Sequence, residues 1–223
     1  MTTLSLLQLV SPALPVGAFS YSEGLESLIQ SGALKDEQEV EHWLNAELQQ
    51  GALRFEAAAL SHLAEDLLCW STHADLDARN RIRDLNGWLL ANREASMVRA
   101  QQRQMGGSLL QLMAEMGHPL PQPLPLAWPA AWAWAALSLQ VSEQEMVEGY
   151  LYGWVANQLS STVRLLPLGP TRAQVIQHRL FPRIALTAKE LCGANPRQLW
   201  SGGVGASMAQ MAHAELYSRL FRS

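Results

Sequence analysis

Helix-start signals recur at four places along this chain, and they constrain its fold more than any other feature of the sequence. They are Ser20-x-x-Glu23, Asp36-x-x-Glu39, Ser142-x-x-Glu145 and Thr171-x-x-Gln174. Each has the form of a capping box, in which the first and fourth side chains bond to each other's free backbone amides at a helix start. Between these signals apolar residues recur at helical spacing, and strictly alternating β-branched runs are absent. The sequence therefore predicts an all-α fold, a single irregular bundle of roughly ten helices.

Glycines and prolines that end helices give a coarse map of this bundle. Gly32 and Gly193 are placed like C-terminal helix stops, and prolines crowd a linker near residues 117–129. We expect residues 1–223 to form one all-helical domain. The predicted helices are a short one before Ser11, others near residues 21–31, 37–50, 53–70, 77–115, 130–139, 143–166, 172–181 and 183–192, a helical turn from Pro196, and a last helix from about Ala206.

The charge balance and the lack of targeting or membrane signals argue against several classes of protein. The chain has 16 basic against 20 acidic residues, for a net charge of −4, and no long basic run. We therefore expect no nucleic-acid partner. The start of the sequence lacks the features of a signal peptide. Prolines interrupt the long uncharged stretch at residues 116–142, which we interpret as a linker followed by a short buried helix. We expect a cytoplasmic protein with reduced thiols and no membrane span.

Candidate chemistry is sparse. The glycine-rich stretch Ser201–Ser207 lacks the lysine of a phosphate-binding loop, so we interpret it as a hinge. His62, Cys69 and His73 would share one face of a helix over residues 53–73, as a nitrogen and sulfur ligand set for a metal or as scattered polar residues on a solvent face. No carboxylate pair, Cys/His pair or Ser/His/Asp set stands at motif spacing. The sequence predicts no catalytic residue and no cofactor.

The predicted helix at residues 143–166 carries one face of small and polar side chains. Gly149, Gly153, Asn157 and the pair Ser160-Ser161 recur at intervals of three or four residues. Such a face indicates close packing, either within the chain or against another subunit. Arg164 follows near the end of the helix, where it either caps the helix or meets a carboxylate of a partner.

The last residues of the given sequence, 217–223, combine Tyr217, Leu220 and Phe221 with Arg219 and Arg222. Aromatic and arginine side chains dominate the energetics of protein interfaces. The segment either becomes ordered on binding a partner or docks on the chain's own core.

Three segments together resemble a known family. They are Ser11–Glu26, the stretch from Tyr150 to Gly169 with its Val163–Gly169 ending, and Tyr217–Ser223; a weaker match is Arg93–Ser96. Spread over nearly the whole chain and in this order, they are similar to the urease accessory protein F family.

The resemblance implies an all-helical homodimer without enzymatic activity. It implies a scaffold that binds the accessory protein called D or H and recruits and regulates the GTPase called G, for nickel insertion into apo-urease. Nickel would be handled by the complex and not bound tightly by this chain. By position, the Arg219–Ser223 end of the tail at residues 213–223 resembles the segment that binds D/H, and Arg164 resembles the basic residue on the GTPase-facing or coupling surface. The Pro15–Gly17 loop with Tyr21 and Glu23 resembles the family's signature turn, with a role in structure or in partner contact. The partner-binding residues that it implies are Arg164, Tyr217, Arg219, Leu220, Phe221, Arg222, Ser223, Tyr21 and Glu23.

Two alternatives remain open on the sequence. One is a cytoplasmic helical nickel carrier, or an uncharacterised enzyme, with its site around His62, Cys69 and His73. The other is an internal conduit for nickel between the two partners, lined by the Asn157 face.

Overall fold

Ten α-helices account for most of residues 2–223, the part of the chain that the computed structural model describes. No strand occurs within these residues, which confirms the predicted all-α class. None of their helices is both long and apolar enough to cross a membrane. The helices are α1 Thr2–Leu9, α2 Leu25–Gln30, α3 Glu37–Gln50, α4 Leu53–His73, α5 Leu76–Ala91, α6 Ser96–Glu115, α7 Trp128–Ser138, α8 Glu143–Leu165, α9 Pro170–Leu191 and α10 Val204–Ala212.

The centre of the bundle is α7, the short buried helix expected after the Pro-rich linker. Its residues Pro129 to Ala136 are all buried, whichever way their side chains point. A helix that is apolar all round must be surrounded, and α7 packs against α4 and α6. Alanines at three consecutive positions of α4, residues 57–59, are fully buried and allow close helix approach. Two tryptophans of α7 satisfy their ring N–H groups on backbone carbonyls, Trp132 on Met146 and Trp134 on His118.

Two of the four predicted capping signals stand at the start of a helix. Ser142 caps α8 with a complete capping box in which Glu145 is the partner. Asp36 caps α3 by accepting hydrogen bonds from two backbone amides of its first turn. The other two predictions are wrong: Ser20 ends a short 3-10 turn before α2, and α9 begins one residue ahead of Thr171, at Pro170. The two glycine stops are confirmed, since Gly32 and Gly193 adopt φ of +75° and +72°.

Two helix predictions need correction. The helix expected over residues 77–115 is interrupted at residues 92–95, where the chain turns between α5 and α6. The break has no glycine or proline, and within it the buried side chain of Arg93 donates to Glu56 on α4. Conversely, Pro182 does not separate two helices but lies inside α9. Pro182 and His178, whose carbonyl loses its usual amide partner, are both exposed, so water can hydrogen-bond to that carbonyl.

Candidate partner-binding site

The tail, residues 213–223, lies against the signature turn, by which we mean residues 15–26 around the Pro15–Gly17 loop. The backbone amides of Ser22 and Glu23 donate to the Ser223 carbonyl oxygen at 2.8 and 3.0 Å. The Arg222 amide donates to the carbonyl oxygen of Ser20 at 2.8 Å. Of the two alternatives for this segment, the structure has the one in which it docks on the chain's own core.

Side chains at the end of the tail alternate between the core and the surface. Phe221 and Ser223 are buried, whereas Leu220 and Arg222 are exposed. The Ser223 hydroxyl donates to Oε1 of Gln101 on α6 at 2.5 Å. This period of two is typical of an extended segment. One face of the tail therefore packs on the core, and the opposite face is exposed.

Arg164, at the end of α8, contacts both the tail and the signature turn. Its guanidinium carbon lies 4.4 Å from the centroid of the Phe221 ring, a cation–π distance. Its Nη1 donates to the carbonyl oxygen of Phe19 at 2.9 Å. Arg164 thus joins α8 to the tail, and the two surfaces that the resemblance assigned to different partners meet at Phe221.

The free edge of this junction presents aromatic, apolar and arginine side chains. Tyr217 is fully exposed, and Phe19 and Leu220 are 68% and 53% exposed. Arg219 and Arg222 are exposed as well. Tyrosine and arginine are enriched at interface hot spots, and phenylalanine is enriched at interfaces in general. We call these five residues the tail surface.

Tyr21 and Glu23, which the resemblance placed among the partner-binding residues, are buried. The Tyr21 hydroxyl donates to Oε1 of Gln104 at 2.9 Å, and its backbone carbonyl accepts from Nδ2 of Asn157 at 3.1 Å. The two side chains therefore pack beneath the signature turn inside the chain, and they are not part of the exposed tail surface.

Glu23 occupies a left-handed conformation, with φ of +51°, which is rare for a residue other than glycine. Its carboxylate accepts from Gln101 Nε2 at 2.7 Å and from Trp154 Nε1 at 3.1 Å. Burial raises the pKa of Glu23 above its usual value, although the charge of Arg93 and these two donors act in the opposite direction. The Glu23 side chain therefore links the signature turn to α6 and α8.

A buried ion pair lies beside Glu23. Arg93 donates to Oε1 of Glu56 through Nε at 2.8 Å and Nη2 at 2.6 Å. The Tyr150 hydroxyl donates to the other carboxylate oxygen at 2.6 Å. Burial alone would lower the pKa of Arg93, but the charges of Glu56 and Glu23 outweigh it and raise that pKa. Burial and the charge of Glu56 raise the pKa of Tyr150 well above its usual value.

A groove of about 530 Å³ opens above these charges, between α8 and the segment that leads into the signature turn. Glu23, Glu56 and Gln102 belong to its lining, together with Gly153 and Ser160. The side-chain oxygen of Gln102 is buried without a hydrogen-bond partner among the described residues. The groove is thus lined by apolar side chains together with a few buried polar and charged ones.

The comparison with known proteins decides the family. The sequence model of the UreF family matches residues 34–181. This chain belongs to the UreF family of urease accessory proteins.

Relatives named urease accessory protein UreF match nearly the whole chain. One from Prochlorococcus marinus subsp. pastoris (strain CCMP1986 / NIES-2087 / MED4) is 37% identical over 218 residues, 96% of each chain. One from Microcystis aeruginosa is 38% identical over 222 residues, 99% of this chain and 97% of the relative. One from Thermosynechococcus vestitus is 36% identical over 229 residues, 99% and 97% of the two chains.

The metal-ligand alternative finds no cluster within residues 2–223. No three His, Cys, Asp or Glu side chains of these residues are grouped to hold a metal ion. His62 bonds through Nε2 to the Ala194 carbonyl oxygen at 3.1 Å, and Cys69 packs against the core. His62, Cys69 and His73 are therefore not brought together as a ligand set.

The small face of α8 packs within the chain over most of its length. A Cβ on Gly149 would lie 2.6 Å from Cδ1 of Leu6 on α1. Asn157 and Ser161 both donate to the Tyr21 carbonyl oxygen. A Cβ on Gly153 would meet nothing within 4 Å, so that glycine faces the open groove.

Sequence reasoning missed the residues that hold the tail in place. Glu26 and His213 lie 187 positions apart and meet at 2.9 Å in the buried interior. A cue was present for Glu26, since it ends the family-like segment Ser11–Glu26. No local pattern could have indicated its partner.

Proposed function

We propose that this chain is a non-enzymatic scaffold of urease maturation. It binds the D/H accessory protein through the tail and recruits and regulates the GTPase G, so that GTP hydrolysis is coupled to nickel insertion into apo-urease. The observation that carries this proposal is the tail surface, an exposed group of aromatic, apolar and arginine side chains built on the family's signature turn.

The chemistry of the tail surface defines what it fits. Arg219 and Arg222 offer planar donors for carboxylates, and Tyr217 and Leu220 offer apolar contact area. A matching partner carries acidic side chains around an apolar recess. Because the buried Phe221 and Ser223 already fix the backbone, little ordering cost remains to be met on binding.

The position of Arg164 supports a link between the two partners. Arg164 stacks on Phe221, so a partner that shifts the tail also changes the surroundings of Arg164. A scaffold that prefers one conformation of the GTPase shifts its population by that difference in affinity and by no more. Arg164 is our candidate for the GTPase-facing contact.

We also propose that the working unit is a cytoplasmic homodimer without a resident cofactor, with nickel as cargo. Sedimentation at micromolar concentration tests the dimer. A species of twice 24.6 kDa is expected, and only a 24.6 kDa species would contradict it.

Co-purification with the D/H and G proteins tests the scaffold. The informative variant combines Tyr217→Ala, Arg219→Ala and Leu220→Ala, because it removes exposed side chains and keeps the buried Phe221 and Ser223. The intact chain should capture both partners, and the triple variant should lose D/H. A control with exposed side chains of α5 removed, Leu76→Ala and Arg83→Ala, should bind as the intact chain does. Capture of D/H by the triple variant at the intact level would refute the assignment.

The groove favours a second candidate function, a polar path for nickel through the scaffold. Glu23 and Glu56 line it, and carboxylate and amide oxygens are suitable transient ligands for a divalent ion. Ser160 is exposed at its edge, so Ser160→Trp should obstruct the groove without disturbing the core. Urease activation should then fall while partner capture persists. Full activation with a captured complex would exclude the path.

A further inference from the structure

One carboxylate, that of Glu26, attaches the tail to the rest of the molecule at three points. Its Oε1 accepts from the Leu220 amide at 2.7 Å, and its Oε2 accepts from the Phe221 amide at 3.1 Å. His213 Nε2 lies 2.9 Å from the same Oε2. We call Glu26, His213 and the two amides the Glu26 cluster.

The Glu26 cluster is shielded from water. The Glu26 side chain is 2% exposed and the His213 side chain 0%. Nδ1 of His213 is buried without a hydrogen-bond partner among the described residues, and Nε2 faces the carboxylate, so we assign Nε2 as the N–H donor to Glu26. Nε2–H and the two amides are all donors, and an ionised carboxylate is the group that satisfies them together.

Hydrogen bonding keeps this carboxylate ionised. Burial alone would raise the pKa of Glu26, but the bonds from Leu220, His213 and Phe221 outweigh it, so that pKa lies below its usual value. Gln30 Nε2 adds a fourth donor at 3.3 Å. Both oxygens are thus fully used.

We infer that Glu26 is the positioning residue of the tail surface: it touches no partner, but it fixes the backbone at Leu220 and Phe221 and so decides where the neighbouring side chains point. This inference rests on the proposed role of the tail in binding D/H.

Because side chains alternate along the tail, Glu26 acts directly on the direction in which they point. Glu26 holds two consecutive amides, and the side chains of those residues point to opposite sides, Leu220 outward and Phe221 inward. If the amides were released, Phe221 could leave its place under Arg164, and Leu220 and Arg222 would no longer face one way. An acidic, apolar partner surface would then meet a mobile segment in place of a formed one.

Glu26→Gln is the sharpest substitution, because it keeps the size of the side chain and changes only its donors and acceptors. A glutamine has one oxygen and one NH₂ group, whereas both sides of this site present N–H donors. Either orientation sets an NH₂ group against the Leu220 or Phe221 amide. Glu215→Gln is the matched control, since Glu215 is exposed in the same segment and loses the same charge.

Two readouts on the full chain test the inference. Hydrogen exchange of the Leu220 and Phe221 amides should accelerate at least about tenfold in Glu26→Gln and stay unchanged in Glu215→Gln. The affinity for purified D/H accessory protein should fall at least about tenfold in Glu26→Gln alone. If Glu26→Gln does not fold, His213→Leu, which removes a single donor, should move both readouts in the same direction by about threefold or more.

The outcomes separate the inference from the proposed function. Unchanged exchange at Leu220 and Phe221 would overturn the inference, as would faster exchange with full D/H affinity. In both cases the loss of binding in the triple variant at Tyr217, Arg219 and Leu220 would leave the proposed function standing. Full binding by that triple variant would overturn both.

Discussion

Replacing Arg93 with methionine should destabilise this chain more than a typical core substitution. Arg93 is 5% exposed and donates two hydrogen bonds to Oε1 of Glu56. Methionine fills similar space but leaves the Glu56 carboxylate, among residues 2–223, with only Tyr150 and Gln102 as donors. The free energy of unfolding should therefore fall sharply.

The magnitude follows from the burial of the remaining charge. Removing one partner of a buried pair costs about 3–5 kcal/mol, because the other charge stays in the interior without compensation. Glu56 is 3% exposed, so water from the groove can replace Arg93 only in small part. Glu23, which Arg93 also influences, adds to the loss because its charge becomes harder to bury.

Urea denaturation at pH 7 measures this loss. Arg93→Met should lower the unfolding free energy by about 3–5 kcal/mol. Adding Glu56→Gln removes the stranded charge, so the double variant should lose about 1–3 kcal/mol less than the two single losses added. A loss below about 1 kcal/mol for Arg93→Met would refute the reasoning.

Two further predictions concern backbone and pH. Thermal unfolding should show a larger loss of stability for Gly24→Ala than for Gly193→Ala. Both positions have positive φ, which costs about 1–2 kcal/mol for alanine, but only at Gly24 would the new Cβ lie 2.7 Å from the Gln210 amide nitrogen. Equal losses would contradict the close approach of α2 and α10. Burial raises the pKa of Glu47 to about 7, so its contribution to stability, present below pH 4.5, should be lost as the pH rises through 7. Because Glu47 is half-buried, the free energy of unfolding should fall by about 1–2 kcal/mol between pH 5 and 8, less than the roughly 3 kcal/mol that the full pKa shift would give. Glu47→Gln should abolish this pH dependence. The same pH dependence in that variant would exclude Glu47 as the cause.

Local chemistry made most of the helices predictable. Ser142 with Glu145 and Asp36 with its first-turn amides are short-range contacts, which one sequence displays in full. The buried α7 was predictable from its lack of charge. Pro182 misled because a proline on an exposed face costs a helix one hydrogen bond that water replaces.

The remaining errors and omissions concern contacts between distant residues. The break between α5 and α6 holds Arg93, which bonds to Glu56, 37 positions away. The Glu26 cluster joins residues 187 or more positions apart. Sequence spacing carries no information on such pairs, although the aromatic and arginine composition of the tail did indicate an interaction surface.

The position of the tail connects the fold to the proposed scaffold. The signature turn, α6 and the end of α8 all contact residues 220–223, so three parts of the bundle set the shape of one small surface. A partner bound there would be sensed by Arg164 through Phe221. This arrangement gives the scaffold a physical route between its two proposed partners.

Sedimentation of the GTPase G with and without this chain tests the central claim most directly. With D/H and GTP present, G should sediment as part of a larger complex only when the chain is added, and the complex should contain all three proteins. If G sediments alone in the presence of the chain and D/H, or joins D/H equally well without the chain, the scaffold account is contradicted.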